Sequence, residues 1–151
     1  MKLVDNVAVS IVMKLKKKGI YDNSVIVVTS DNGAPSSSSS DPNGGSNWPL
    51  RGKKGTVYEG GLRVPAFVHS PLLGASSRNR SLHSLFHVTD WLPTLVEGVA
   101  LRMMSNATGS TPGVGVNQWS AIQDPDLQAL RTEISTMIDY VEGADLGAVI
   151  V

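Results

Sequence analysis

The sequence predicts an α/β fold, and three stretches of the chain carry that prediction. Residues 1–19 place apolar side chains at three- and four-residue steps, the spacing of an amphipathic helix. Residues 25–30 form a continuous run rich in β-branched side chains, as in a strand buried on both faces. Residues 64–69 form a second short strand. A helix, a short turn and a buried strand in this order are typical of a sheet with parallel strands.

The first helix is predicted to end at a glycine. Lysines crowd its last turns, where cations suit the negative end of the helix dipole, and Gly19 follows them. A lysine cluster is also compatible with anion binding, but a solvated helix end is the favoured interpretation.

The strand at residues 25–30 runs directly into Asp31, Asn32 and Gly33. In α/β sheets ligands gather at the carboxyl ends of strands, and carboxylate and amide oxygens suit Ca²⁺ or Mg²⁺. The same tripeptide is a strong turn signal, so the residues alone favour a turn over a metal site.

A low-complexity loop at residues 34–47 separates this strand from a basic segment. Arg51, Lys53 and Lys54 lie there in a glycine-containing loop that could hold an anion. Alone, a few basic residues in a loop are a weak signal. Pro65 stands near the start of the second strand, where a missing N–H does least harm.

The part of the chain from residue 88 onward is predicted to add short elements. Residues 88–96 begin a helix with Asp90 as its N-cap and Pro93 in its first turn. Residues 117–122 begin another helical turn, and residues 147–151 form a strand. Two tryptophans of this part, Trp91 and Trp119, are expected in the core.

The three histidines give no convincing metal site. His83 and His87 are four residues apart, as in helical zinc sites, but Ser84 stands where the H-E-x-x-H motif has glutamate. A structural or exposed role is favoured for both. His69, at the end of the second strand, has no evident partner.

Composition excludes several classes of protein. The 151 residues suit one domain, and 13 basic residues balance 13 acidic ones, which argues against a nucleic-acid partner. No apolar stretch approaches the roughly 20 residues of a membrane span, and the first twenty residues lack a signal peptide's pattern. The chain has no cysteine, so it has no disulfide, thiolate metal site or cysteine nucleophile.

The motifs in combination resemble the type I sulfatases, with the closest likeness to arylsulfatase B-like sulfatases. The motifs D-N-G, W-P-L-R-G-x-K and E-G-G-x-R-V-P occur in this order and spacing, and the likeness covers nearly the whole chain. The matching segments are residues 29–33, 47–54, 58–65, 70–73, 87–95, 115–119 and 133–139.

This resemblance implies an alkaline-phosphatase-like fold, a mixed and mostly parallel sheet flanked by helices. Residues 1–100 would be the C-terminal portion of the catalytic domain. Residues 101–151 would be a linker and the beginning of a small C-terminal subdomain. Edges covered by earlier strands would be open, so we expect the isolated chain to associate through residues 25–28 and 149–151.

The resemblance also implies roles for site residues. Asp31 and Asn32 match the pair that ligates the active-site Ca²⁺, and Lys54 matches the lysine that contacts the sulfate ester. Glu59 and Arg63 are interpreted as a structural pair. Trp48 either lines the substrate entrance or anchors the loop. The serine run at residues 36–40 departs from the family's pattern and puts the positioning of Lys54 in doubt.

The sulfatase nucleophile is a formylglycine made in the motif C/S-x-P-x-R, which is absent from this sequence. The nucleophile and the other calcium ligands are expected upstream, so we expect a fragment of a calcium-dependent sulfuric ester hydrolase that is inactive alone. Sulfated glycans such as N-acetylgalactosamine sulfates are the implied substrates. The alternatives are a non-catalytic truncated paralogue and a phosphoesterase of the alkaline-phosphatase superfamily.

Two N-x-S/T sequons, at Asn79 and Asn106, are glycosylation candidates. Together with the resemblance they favour a lysosomal or secreted parent protein. The expected partner is a sulfate-ester substrate, with no nucleic acid and no membrane span. The oligomeric state is left open.

Overall fold

The computed structural model describes residues 2–35, 44–100, 115–124, 126–127, 130–141 and 144–150, with side chains up to residue 135. The helices are α1 (Lys2–Lys17), α2 (Glu59–Leu62), α3 (Trp91–Leu95) and α4 (Trp119–Gln123), and the strands are β1 (Ile26–Thr29), β2 (Ala66–His69), β3 (Ile134–Val141) and β4 (Ala144–Ile150). Short 3₁₀ turns lie at Tyr21–Asn23, Ala75–Ser77 and Val88–Asp90, and a π-helical turn at Val96–Ala100 follows α3. Within the described ranges, no helix combines the length and apolar character needed to cross a membrane.

Helix α1 ends as the sequence predicts, at Gly19. The Gly19 amide donates to the Lys16 carbonyl and the Ile20 amide donates to the Leu15 carbonyl, the two bonds of a Schellman cap. Gly19 has a φ of 69°, which a residue without a Cβ adopts without strain. No residue of α1 is buried.

Strands β1 and β2 form a two-stranded antiparallel sheet. Ile26 lies opposite His69 and Thr29 lies opposite Ala66. Strands β3 and β4 are also antiparallel, so the described strands do not confirm a parallel sheet. Strand β1 is only half-buried, because two strands leave part of each face open, and the prediction of burial on both faces is wrong for this chain.

The core lies around Trp119, as predicted. Leu73, Trp119 and Ile122 are buried together, and partly buried side chains pack around them: Val25, Val68, Leu82, Phe86 and Val99. Trp91 is half-buried and its ring lies against Phe86, with the centroids 4.3 Å apart. The predicted terminal strand is present as β4, while Val151 lies outside the described residues.

Asp90 stands at the N-cap position of α3, as predicted, but its side chain makes no capping hydrogen bond there. Its carboxylate accepts a hydrogen bond from the His87 amide at 2.8 Å, so it closes the preceding 3₁₀ turn, whose N-cap is His87. The same buried carboxylate accepts from the Val116 amide at 2.8 Å and from two nitrogens of Arg131. Pro93 lies in the first turn of α3, as predicted.

Candidate functional site

Three backbone segments meet beyond the end of β1, and we call their meeting point the junction: residues 31–34, 47–56 and 58–61. The Gly33 amide donates to the Gly61 carbonyl at 2.9 Å, which joins the strand end to α2. The Gly60 amide donates to the Arg51 carbonyl at 2.7 Å, which joins α2 to the basic loop. The Lys54 amide donates to the Ala34 carbonyl at 3.2 Å and closes the ring of contacts.

The junction depends on glycines because its backbones touch. A Cβ on Gly33 would overlap the carbonyl of Gly60. A Cβ on Gly60 would in turn overlap the carbonyl groups of Arg51 and Gly52. The sequence analysis missed this role, although the adjacent glycines of the E-G-G motif are a signal of close backbone approach.

Asp31 and Asn32 lie in the bend after β1, so the turn that the sequence favours is present. Asp31 is exposed and Asn32 is half-buried. One oxygen of the Asp31 carboxylate accepts hydrogen bonds from the backbone amide of Asn32 at 3.0 Å and from its side-chain amide at 3.1 Å. The Ser30 hydroxyl donates to the Asn32 carbonyl at 3.0 Å and holds the bend.

The basic loop presents its lysines to solvent. The side chains of Lys53 and Lys54 are both exposed. The Thr56 hydroxyl donates to the Lys53 carbonyl at 2.7 Å and accepts from the Lys53 amide at 3.1 Å, which makes the turn compact. The Arg51 guanidinium lies over the Tyr58 ring, 4.1 Å from its centroid, where the ring face attracts the cation.

Asn47 ties the loop to the strand end, and the sequence analysis gave it no role. Its side-chain oxygen accepts from the Ala34 amide at 2.7 Å. Its side-chain nitrogen donates to the Ala34 carbonyl at 2.8 Å and to the Gly52 carbonyl at 3.2 Å. Nothing in the periodicity points to this residue; its only signal is its position directly before the W-P-L-R-G motif.

Glu59 and Arg63 form an ion pair at 3.4 Å, as the structural interpretation predicts. Both side chains are half or more exposed, so the pair contributes little to stability. Trp48 is 87% exposed, and its side chain therefore does not anchor the loop. The anchor is the neighbouring Asn47, and the entrance interpretation of Trp48 stays a prediction.

The donor chemistry of Asp31 and Asn32 fits Ca²⁺, since one offers carboxylate oxygens and the other an amide oxygen. Ca²⁺ takes about six to eight oxygen ligands. Across the part of the chain that the structure describes, no group of three or more His, Cys, Asp or Glu side chains comes together. Asp31 and Asn32 could therefore supply only part of the ligands of such a site.

The histidines do not enter the junction. His83 is exposed, and the His87 ring accepts from the Thr89 amide in the 3₁₀ turn. The Tyr21 hydroxyl and the His69 ring nitrogen are 2.7 Å apart, a partner that the sequence did not suggest.

Asn79 is exposed and has a φ of 54°, so this sequon lies on an open turn. Asn106, the second glycosylation candidate, lies outside the described residues.

Comparison with known families shows to which family the chain belongs. The family model described as Sulfatase matches residues 1–99, which include the strand end, the basic loop and α2. The chain belongs to the sulfatase family. The predicted resemblance to type I sulfatases is confirmed, and with it a sulfuric ester hydrolase family.

Curated sulfatases also match the chain. Arylsulfatase J of Mus musculus is 46% identical over 93 residues, which is 62% of this chain and 14% of that protein. A sulfatase of Formosa agariphila is 35% identical over 91 residues, covering 60% of the chain and 15% of that protein. N-acetylgalactosamine-6-sulfatase of Mus musculus is 35% identical over 104 residues, covering 68% of the chain and 19% of that protein.

This sulfatase chain spans less than a fifth of the length of these three relatives. No solved structure matches it.

Proposed function

We propose that this chain supplies part of the calcium- and sulfate-binding site of an arylsulfatase. The observation that carries the proposal is the bond between the Lys54 amide and the Ala34 carbonyl. It ties the backbone of the lysine to the strand end that bears Asp31 and Asn32. A cation-binding pair and an ammonium group whose backbone is held in the same junction suit the negative charge of a sulfate ester.

Each residue has a distinct part in the proposed chemistry. Asp31 and Asn32 would hold Ca²⁺, which supplies positive charge opposite the sulfuryl oxygens. Lys54 would donate hydrogen bonds to those oxygens and offset the negative charge that develops as the ester bond breaks.

The parent protein is proposed to act on sulfated glycans such as N-acetylgalactosamine sulfates. One relative is an N-acetylgalactosamine-6-sulfatase by name, which supports this substrate class. The proposed parent has the alkaline-phosphatase-like fold, with residues 1–100 in its catalytic domain and residues 101–151 leading into a C-terminal subdomain. A lysosomal or secreted location, with sugar at Asn79 and Asn106, belongs to the same proposal.

The assignment of Lys54 is tested by a pair of adjacent lysine variants. We expect Lys54→Ala to weaken the binding of inorganic sulfate, measured by NMR titration in calcium chloride, by about tenfold. Lys53→Ala is the matched control, because this neighbouring lysine is equally exposed. Equal losses in the two variants would indicate a diffuse electrostatic effect and contradict a specific role for Lys54.

A non-catalytic truncated paralogue is the second candidate. The sequence contains neither cysteine nor S-x-P-x-R, so the chain itself carries no formylglycine precursor. The transcript sequence adjoining this one decides between the candidates. A C-x-P-x-R motif there supports the hydrolase, and its absence before a genuine start codon supports the paralogue. A Thr or Ser nucleophile with added metal-ligating His and Asp supports a phosphoesterase.

A further inference from the structure

We propose that Asn47 is a positioning residue that sets the backbone of Lys54 against the calcium-binding end of β1. Asn47 is half-buried and uses its carboxamide for three hydrogen bonds, two to Ala34 and one to Gly52. These partners lie on the two segments that carry the proposed chemistry. The inference rests on the proposed function for the roles of Asp31, Asn32 and Lys54.

The Ala34 carbonyl is the point at which the two segments are coupled. It accepts one bond from the Asn47 side chain at 2.8 Å and another from the Lys54 amide at 3.2 Å. Because the Asn47 oxygen also accepts from the Ala34 amide, the Asn47 side chain is hydrogen-bonded to both backbone polar groups of Ala34. The orientation of the Ala34 carbonyl, and so of the Lys54 amide bound to it, depends on these two hydrogen bonds.

The three hydrogen bonds of the Asn47 side chain require a primary amide. The side chain must accept from one backbone N–H and donate to two carbonyls, and a carboxamide does both at this length. Aspartate has the same shape but no donor, so it would retain only the bond from the Ala34 amide. It would also face the Ala34 and Gly52 carbonyls with a negative charge.

Asn47 and its partners, Ala34 and Gly52, lie apart from the hydrophobic core. The buried cluster of Leu73, Trp119 and Ile122 does not include Asn47 or its partners. Loss of the three bonds should therefore release the junction without unfolding the protein. This separation distinguishes a positioning residue from one that only supports the fold.

Amide hydrogen exchange tests the inference without any need for catalysis. In Asn47→Ala we expect the Ala34 and Lys54 amides to exchange at least tenfold faster. The Ala34 amide loses its acceptor, and the Lys54 amide keeps an acceptor, the Ala34 carbonyl, that the Asn47 side chain no longer holds in place. The Ile122 amide, which donates to Gln118 in α4, should exchange at the wild-type rate. Asn47→Asp should release the Lys54 amide while partly protecting the Ala34 amide. Asn23→Ala, on the exposed turn after α1, is the matched control and should change neither.

Inorganic sulfate, titrated in calcium chloride, gives a second readout. We expect Asn47→Ala to weaken sulfate binding in the same direction as Lys54→Ala, and Asn23→Ala to leave it unchanged. The inference is overturned if the Ala34 and Lys54 amides keep their wild-type exchange rates in Asn47→Ala, or if Ile122 accelerates with them. If Lys54→Ala binds sulfate as tightly as wild type, the proposed role of Lys54 fails, while the exchange rates still decide the role of Asn47.

Discussion

Asp90 is a buried carboxylate that is paired with an arginine. Its side chain is fully buried, and the Arg131 guanidinium contacts it through two nitrogens at 2.6 and 2.8 Å. Burial by itself would raise the pKa of Asp90. The hydrogen bonds from Arg131 and from the amides of His87 and Val116 outweigh burial and hold that pKa below its usual value. The pair joins α3 to the segment before β3.

This ion pair predicts loss of stability in acid. The unfolded chain protonates Asp90 near pH 3.9, and the folded chain does so at a lower pH. The contribution of the pair is therefore complete above pH of about 4 and is lost as pH falls through the folded pKa. We expect Asp90→Asn to lower the free energy of unfolding at pH 7 by about 3 kcal/mol, because it leaves Arg131 without its anion. Urea denaturation at several pH values measures both effects.

Asp22→Asn is the control for this prediction, since Asp22 is exposed on the turn after α1. It should unfold like the wild type at pH 7. If Asp90→Asn unfolds at the wild-type urea concentration, or keeps the full acid sensitivity of the wild type, the ion pair does not hold these segments together.

Single residues were predictable where a motif names them and not where a distant partner decides. The turn at Asp31 and Asn32 and the pairing of Glu59 with Arg63 follow from local sequence. The position of Asp90 before α3 was predicted but its side-chain partners were not, because an aspartate before a helix fits an N-cap as well as it fits the end of a 3₁₀ turn. Asn47 was missed because its partner Ala34 lies 13 residues away, beyond the reach of any periodic pattern.

Elements were predictable in type and less so in pairing. Apolar periodicity and a C-terminal glycine define α1, and both features are local. The run at residues 25–30 predicts a strand but not the direction of the neighbouring strand, and β2 is antiparallel to β1. Half-burial of β1 has a similar origin, since a sequence run cannot show how many strands cover it.

Helix α1 leaves its apolar stripe uncovered, which the sequence analysis did not expect. Val7 is 58% exposed and Ile11 46% exposed, and both line a shallow groove along the helix. The strand residues 25–28, expected to cause association, are half-buried instead. The exposed apolar surface of the described residues therefore lies partly on a helix, and not only on strand edges.

This stripe predicts concentration-dependent self-association of the isolated chain. We expect the double variant Val7→Lys with Ile11→Lys to lower the average mass measured by sedimentation equilibrium. Val9→Lys is the matched control, because Val9 is 57% exposed but lies on the opposite side of α1. Equal effects of the double variant and the control would show that added charge, and not the stripe, governs association.

At the scale of the whole molecule, the proposal gives the chain only part of a sulfatase site. It spans 14% of arylsulfatase J, and its sequence contains no precursor of formylglycine. We expect the purified chain to release no p-nitrophenol from p-nitrophenyl sulfate in calcium chloride, because its sequence carries no precursor of the formylglycine nucleophile. Absorbance of p-nitrophenolate measures the release.

The control for this prediction is Asp31→Ala under the same conditions. Release above buffer by the wild-type chain that Asp31→Ala abolishes would refute the proposed inactivity. The family was predictable from the sequence because three motifs in fixed order identify it. The location of the other calcium ligands upstream stays a prediction, since calcium ligands come together from distant parts of a fold.

The double use of the Ala34 carbonyl has an evolutionary consequence. Residue 34 contributes to the junction through its N–H and C=O alone, which nearly every amino acid possesses. Selection can therefore tolerate small side chains at position 34, with proline excluded because it has no N–H. Position 47 has no such freedom, because its contribution is made entirely by the side chain. Among related sequences, substitutions should therefore be more frequent at position 34 than at position 47.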